Sequence, residues 1–434
     1  MKRILKYSVI TLLMSFSWIA FSYYSYVNGW FHTPITTQNT SQAFKKAVET
    51  EIEKEFVGNY AMAVFENGKI VNEFFYSKNT QVNRNTLFQV ASLSKFISAM
   101  GVMKLVELGK LDLDVPVNSY LSRWKLPPSE FDNNKVTTRR LLSHTAGLTD
   151  GLGYSGFEVG TPIQSLEASL TKAADADEGV SGIVKVGIDP GTKFSYSGGG
   201  YTLLQLLVEE ISGQSFDSFM KENLFIPIGM KSSTYIWDES LNETLCDFYN
   251  SNGTSANHFI YTSKAATSLY TTLSDLELFF QFYTQVEKEQ SPQENILSKE
   301  TLKMMKQSHA NVLGEDIWGL GTMFYTSPNT DNFIIGHDGK STPPINTAFR
   351  LHSEKGDGII ILETGHPILA TQIASEWVFW KTGKIDTMLF TLKQDLLIRN
   401  ITIGSIILII SFVWIGLYRR KIKSRKQSIS FSST

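Results

Sequence analysis

Along the chain, apolar and polar positions alternate in two distinct rhythms. Within 41–56, Phe44, Val48, Ile52 and Phe56 recur at helical spacing with charges between them, which predicts an amphipathic helix. The next two apolar runs, 59–65 and 69–76, read as strands. They are joined by Glu66-Asn67-Gly68, and Asn-Gly is a strong signal for a two-residue hairpin turn. From 92 to 108 the helical period returns at Leu93, Phe96, Ile97, Met100, Met103 and Val106, with apolar residues on almost every face and Gly109 where a C-terminal cap belongs. This helix is expected to be buried. The region 111–314 is mostly helical in pattern, for example at 201–211, 216–224, 274–285 and 298–309, with long irregular loops between. Strand patterns resume at 319–325, 332–336, 346–352 and 358–363, and a helix at 369–380 closes the pattern. Strands near both ends with helices between them predict one α/β unit, assembled from both ends of the chain around an inserted helical region. No internal repeat or low-complexity tract interrupts it.

Outside this unit the pattern changes to long uncharged runs. Residues 7–31 follow Lys2, Arg3 and Lys6 and carry Tyr23, Tyr24, Tyr26 and Trp30 at their far end, which reads as a signal-anchor with an aromatic belt. A cleaved signal peptide is the alternative, because Ala20-Phe21-Ser22 offers small residues at the cleavage-critical positions. The second run, 401–418, is followed by Arg419, Arg420, Lys421, Lys423, Arg425 and Lys426. It is expected to span a membrane, with 419–434 as a basic cytoplasmic tail. The chain then divides into a leader (1–31), a linker and amphipathic helix (32–57), the main domain (41–383), a linker (384–400), the span and the tail. The positive-inside rule puts both termini in the cytoplasm and the domain outside the cell.

Composition narrows the function classes. The 434 residues include 40 basic and 42 acidic side chains, a net charge of −2, so no overall field draws nucleic acid and no nucleic-acid partner is expected. With 42% hydrophobic residues the chain can bury a large core, and its single cysteine, Cys246, excludes an internal disulfide.

A serine becomes a useful nucleophile when a base removes its proton, and a desolvated lysine can be that base. Ser and Lys three apart on a helix share a face. Ser92-Leu93-Ser94-Lys95 has this spacing, as do the pairs Ser122 and Lys125, Ser169 and Lys172, and Ser218 and Lys221. Context distinguishes them: only the first opens a long apolar helix straight after strand patterns, where the lysine is desolvated and backbone N–H groups face a developing oxyanion. The histidines show no metal-ligand spacing, so neither a metal nor another cofactor is expected.

Four segments together resemble the class C β-lactamase and penicillin-binding-protein-like serine hydrolases: Phe88-Gln89-Val90-Ala91-Ser92-Leu93-Ser94-Lys95, Leu141-Leu142-Ser143-His144-Thr145-Ala146-Gly147-Leu148, Pro190-Gly191-Thr192-Lys193-Phe194-Ser195-Tyr196-Ser197-Gly198, and His337-Asp338-Gly339. The resemblance covers about 41–383. It implies an antiparallel sheet flanked by helices, an acyl-enzyme at Ser92, Lys95 as its partner, and Tyr196 as the proton shuttle. A phenol with pKa near 10 acts as a base only where a cation stabilises phenolate, a role suited to Lys95. The resemblance also implies an oxyanion hole from the N–H groups of Ser92 and Lys340, substrate contacts at Gly198, His337 and Gly339, and a loop-holding role for His144. Lys381-Thr382-Gly383 matches the family's commoner third motif by letter, yet it ends a helix. Two departures stand out: position 198 is Gly where many relatives have Asn, and 337 is His where they have Lys. Both argue against efficient β-lactam hydrolysis. The expected activity is hydrolysis of a small envelope peptide containing D-amino acids, with an esterase or a catalytically weak binding or sensing protein as alternatives.

Overall fold

The computed structural model describes residues 2–151, 153–289 and 296–431. The chain forms two compact units, 35–380 and the two ends, 1–34 together with 381–434.

The larger unit is built on one eight-stranded sheet. Its strands are β1 (Asn59–Glu66), β2 (Lys69–Ser77), β3 (Ala310–Val312), β4 (Glu315–Trp318), β5 (Met323–Phe324), β6 (Ile335–Ser341), β7 (Ile345–His352) and β8 (Asp357–Thr364). They lie in the order β2-β1-β8-β7-β6-β5-β4-β3, and every pairing is antiparallel. Asn67 and Gly68 both take left-handed backbone angles (φ 54° and 79°), as the tight hairpin between β1 and β2 requires. The pairing of Ala61 with Leu362 and of Ala63 with Ile360 joins the early strands to the late ones. The unit is therefore closed from both ends of its sequence.

Side chains on the two sheet faces meet different helices. Ala61, Ala63, Phe65, Phe349, Leu351, Ile360 and Leu362 join the main core. There Phe65 stacks on Phe280 (4.0 Å between centroids), and Phe96 packs on Phe349 at 5.7 Å. Of the helices α1 (Ser41–Glu55), α2 (Leu93–Glu107), α3 (Gly198–Ser212), α4 (Leu273–Glu287) and α5 (Leu369–Thr382), α2 and α4 lie on this face. On the other face, Asn346 accepts the Thr371 N–H and Glu363 accepts the Ala370 N–H, each at 2.9 Å, so the sheet caps the start of α5. Phe44 of α1 stacks on Trp380 of α5 at 4.9 Å. Burial of Phe44, Val48 and Ile52 contributes about 1.5–3 kcal/mol each to holding α1.

Several boundaries differ from the pattern. Strand 319–325 shortens to Met323–Phe324 because Gly319 and Gly321, the latter at φ 73°, turn the chain. The helix expected over 298–309 stops at Met305, and the chain continues into the edge strand β3 and its neighbour β4, which hydrophobic periodicity did not reveal. These two strands are short and largely polar, so they carry no alternation to read. Helix α3 starts earlier than expected because the Ser197 hydroxyl accepts the Gly200 N–H at 2.8 Å.

In the second unit, the helices Lys2–Val27 and Thr387–Phe431 pack on each other. The Tyr26 and Tyr23 rings meet Phe390 at 5.3 and 6.3 Å, and Gly404 lies so close to the Trp18 indole that a side chain there would overlap it. The stretch 384–400, expected to be a linker, is helical from Thr387 onward. Asp386 accepts the Leu389 N–H at 2.7 Å and so starts that helix. The stretches Ser8–Val27 and Thr387–Ile422 are long and apolar enough to cross a membrane. Residues 432–434 of the expected basic tail lie outside the described residues.

Candidate active site

Ser92 stands immediately before α2 and lines a cleft of about 760 Å³. Ala91 holds a left-handed backbone (φ 47°), an uncommon angle for a residue with a Cβ. The turn is locked by Ser94, whose hydroxyl donates to the Ala91 carbonyl at 2.6 Å and accepts the Leu269 N–H at 3.0 Å. The second serine of the motif is thus a structural clamp. One helical turn on, the Lys95 amine donates to Ser92 Oγ at 3.1 Å and to the Ala266 carbonyl at 2.8 Å.

Lys95 is 2% exposed, and burial lowers its pKa from 10.5 to about 7, with Asp150 pulling the other way. A substantial fraction of the amine is therefore neutral near pH 7. The competing lysines differ in kind. Lys125 and Lys172 are exposed, and Lys221 pairs with Asp217 at 2.9 Å.

Tyr196 completes the group. Its ring lies 5.0 Å from the Lys95 nitrogen, and its phenol shares a hydrogen bond with the Ser92 hydroxyl. Burial raises the phenol well above its ordinary range, and Asp338 adds to that rise. Phenolate stabilised by Lys95, the expected state, is disfavoured; the tyrosine is held as a neutral hydroxyl. His144 serves this arrangement from behind. Its Nδ1 accepts the Ser197 N–H at 3.1 Å, its ring stacks on Tyr196 at 4.3 Å, and its φ of 56° marks the tight turn it holds.

The strand side of the site is set by glycine. A Cβ at Gly339 would overlap the Val90 carbonyl and Thr347 Oγ1 and would lie 3.2 Å from the Leu93 nitrogen, so only glycine lets β6 run against the start of α2. β5 reaches only Ile335 and Gly336, which leaves the later part of β6 unpaired on that edge among the described residues. Lys340 joins Ser92 and Lys95 in the cleft wall.

His337 behaves otherwise than expected. It is 3% exposed and absent from the cleft wall, and its Nδ1 bonds the Asp338 carbonyl at 2.6 Å. The Asp338 carboxylate is engaged by the buried Arg350. Burial, Lys95 and Arg350 lower the imidazole to about 3. His337 stays neutral throughout mild acid.

Gly198 is likewise not a cleft residue. A Cβ there would lie 2.7 Å from the Tyr154 ring, and Tyr154 itself lines the cleft. The aromatic ring occupies the space into which a side chain at 198 would grow. Tyr154 and Asp150 are the two residues that sequence reasoning missed. Asp150 is buried, accepts the Ser197 hydroxyl and the Gly199 N–H, and places a carboxylate near Lys95. Its place in a Thr-Asp-Gly sequence gave only a turn signal. Lys381-Thr382-Gly383 closes α5, with Gly383 at φ 69° in a helix-terminating conformation. Among the described residues no group of three or more His, Cys, Asp or Glu could hold a metal ion.

A family model described as Beta-lactamase matches residues 44–369. A penicillin-binding protein of Bacillus subtilis is 32% identical over 217 residues, 49% of this chain and 45% of its own length. Penicillin-binding protein 4 of Amycolatopsis lactamdurans is 30% identical over 185 residues, 42% of this chain and 45% of its own. The chain thus spans less than half the length of these curated relatives. Among solved structures, an octameric penicillin-binding protein homologue from Pyrococcus abyssi has a TM-score of 0.64 at 24% identity, covering 79% of this chain and 78% of its own. A β-lactamase/D-alanine carboxypeptidase from Pseudomonas syringae has a TM-score of 0.61 at 17% identity, covering 78% and 99%. These two likenesses are of fold.

Proposed function

The chain belongs to the β-lactamase family of serine hydrolases, and from that premise we propose a membrane-anchored acyl-transfer hydrolase in which Ser92 is the nucleophile and Lys95 its base. The observation that carries this reading is a buried amine with a pKa of about 7, 3.1 Å from the Ser92 hydroxyl. Neutral Lys95 takes the Ser92 proton as Oγ attacks the substrate carbonyl. The N–H groups of Ser92 and Lys340 receive the oxyanion. Tyr196, kept protonated by its burial, passes its own proton to the departing nitrogen or oxygen and recovers one from the Lys95 ammonium as the C–N or C–O bond breaks. Water then repeats the sequence on the acyl-enzyme, with Lys95 as base and Ser92 Oγ as leaving group. Asp150 acts at one remove, by holding Ser197 and Gly199 and by its field on Lys95.

The substrate we assign is a small envelope peptide containing D-amino acids, cleaved by a carboxypeptidase-like reaction. The names of the relatives support that class. Esterase activity is the second reading, favoured by a specific observation: neutral His337 supplies no fixed charge for a substrate carboxylate. Two apolar helices and the flanking Lys2, Arg3, Arg419, Arg420 and Lys421 support a location in the cell membrane, with both termini cytoplasmic and the 35–380 unit outside. The test is intact-protein mass spectrometry after exposure to a fluorophosphonate, a labelled penicillin and D-Ala-terminated peptides, in the wild type and Ser92→Ala. Adducts on wild type that vanish in Ser92→Ala are expected; unchanged labelling of Ser92→Ala would refute the assignment.

A further inference from the structure

The cleft above Ser92 has a charge pattern that the hydrolytic machinery does not use. Lys340 lines it, as do the loop segment Gly153-Tyr154-Ser155-Gly156 and Asp177, and Asp177 is the only carboxylate among the described cleft-lining residues. The carboxylate is built into the wall. Ser155 donates its hydroxyl to Asp177 Oδ1 at 3.0 Å, and Oδ2 lies over Gly153 so closely that a Cβ at 153 would overlap it. The backbone is tied as well, since the Val180 N–H donates to the Asp177 carbonyl at 3.3 Å.

Among the described residues, no lysine, arginine or histidine forms an ion pair with Asp177, and no acidic residue pairs with Lys340. Two residues earlier than Asp177, Asp175 is 4% exposed, and among the described residues no side chain bonds its carboxylate. Its carboxyl is pushed up to about 6, chiefly by burial and in part by the charge of Asp177. A second carboxylate crowding the first deepens the negative potential there and is itself relieved when a cation arrives. Both signs line the same cleft as the nucleophile.

We propose that Asp177 forms a subsite for a primary ammonium group, so that the substrates accepted at Ser92 are peptides or peptide derivatives carrying a free amine. This rests on the reading of Ser92 as the nucleophile and names the substrate class for that same site. An α-amino group or a diamino-acid side chain supplies the same chemistry, and the position of the free amine distinguishes them. Ser155 orients the carboxylate, and the Gly153 backbone lets it turn into the cleft. An ion pair at an exposed carboxylate strengthens binding by about fivefold at low salt and is screened away at high salt.

The experiment uses the full-length protein in detergent. Fluorophosphonate acylation of Ser92 is followed by intact mass while a short D-Ala-containing peptide amide competes, either with its amine free or N-acetylated. A matched pair bearing the only free amine on a lysine side chain separates the two sources of ammonium. Each series is run at about 0.1 M and about 1 M salt, between which the screening length falls from about 10 Å to about 3 Å. The free-amine peptide of at least one pair is expected to protect about fivefold better at low salt. That advantage should shrink at high salt, disappear in Asp177→Asn, which keeps the Ser155 hydrogen bond, and reverse in Asp177→Lys. Equal protection by free and acetylated peptides in both pairs overturns the subsite, as does an advantage that Asp177→Asn retains. If Ser92 does not label at all, the catalytic reading fails instead, and calorimetric binding of the same peptides still decides on Asp177.

Discussion

Replacing Lys95 by methionine should make the protein more stable at pH 6 and less stable at pH 10.5. In the folded state the amine titrates at about 7 rather than 10.5, a difference worth about 5 kcal/mol in favour of its neutral form. In the unfolded chain it titrates near its ordinary value. Between about pH 7 and pH 10.5 the unfolded state therefore binds the extra proton, and stability rises with pH across that window. Below about pH 7 the full penalty of a buried ammonium is present, and above about pH 10.5 it is gone. Methionine fills similar volume without the charge. It also orphans the Ala266 carbonyl, which now accepts from Lys95 at 2.8 Å, at a cost of about 1–3 kcal/mol. The net expectation is a gain of about 2–4 kcal/mol at pH 6 and a loss of about 1–3 kcal/mol at pH 10.5. Denaturant midpoints of wild type and Lys95→Met, measured in the same detergent at both pH values, test the sign change. The same substitution should lower Ser92 acylation by about 10²–10⁴-fold, while the wild-type acylation rate rises with pH through a midpoint of about 7. A variant less stable than wild type at pH 6, or a stability difference that does not vary with pH, would refute the argument that burial holds this amine neutral.

The other expectations follow from neighbouring contacts. Gly198→Asn must displace the Tyr154 ring, so it should destabilise the unit by about 1–3 kcal/mol in denaturant titration. Pairing it with Tyr154→Ala should recover part of that loss, and strict additivity would argue against the contact. Because His337 is held neutral, the ratio of kcat/KM for a carboxylate-ended substrate to that for its methyl ester should show no His337 transition from about pH 5 to 8. A step near pH 6 that is lost in His337→Asn would show that the imidazole titrates after all. Protease added to intact cells should digest the 35–380 unit and spare a tag placed after Thr434. Digestion of the tag with protection of the unit would reverse the proposed topology.

What could be read from the sequence alone was local. The hairpin was legible because Asn67-Gly68 demands two left-handed residues in succession, and the amphipathic α1 because Phe44, Val48 and Ile52 repeat on one face. The pairing of Ser92 with Lys95 was legible for the same reason: a helical turn brings residues three apart together whatever surrounds them. The segment 384–400 was missed as helix because its apolar residues are interrupted by charges. Asp386 and the facing helix, through Phe390 against Tyr23 and Tyr26, decided its structure. The properties that set the chemistry were also tertiary. Asp150 meets Ser197 and Gly199 across nearly fifty residues, Tyr154 takes the space beside Gly198, and Arg350 engages the Asp338 carboxylate next to His337. A pKa depends on how much water and charge the folded chain leaves around a group, and neither quantity has a period along the sequence. The sequence therefore determined which groups stand one turn apart, while only the packed structure decided that burial pulls the Lys95 pKa down to about 7, that burial favours a protonated Tyr196, and that His337 is held uncharged.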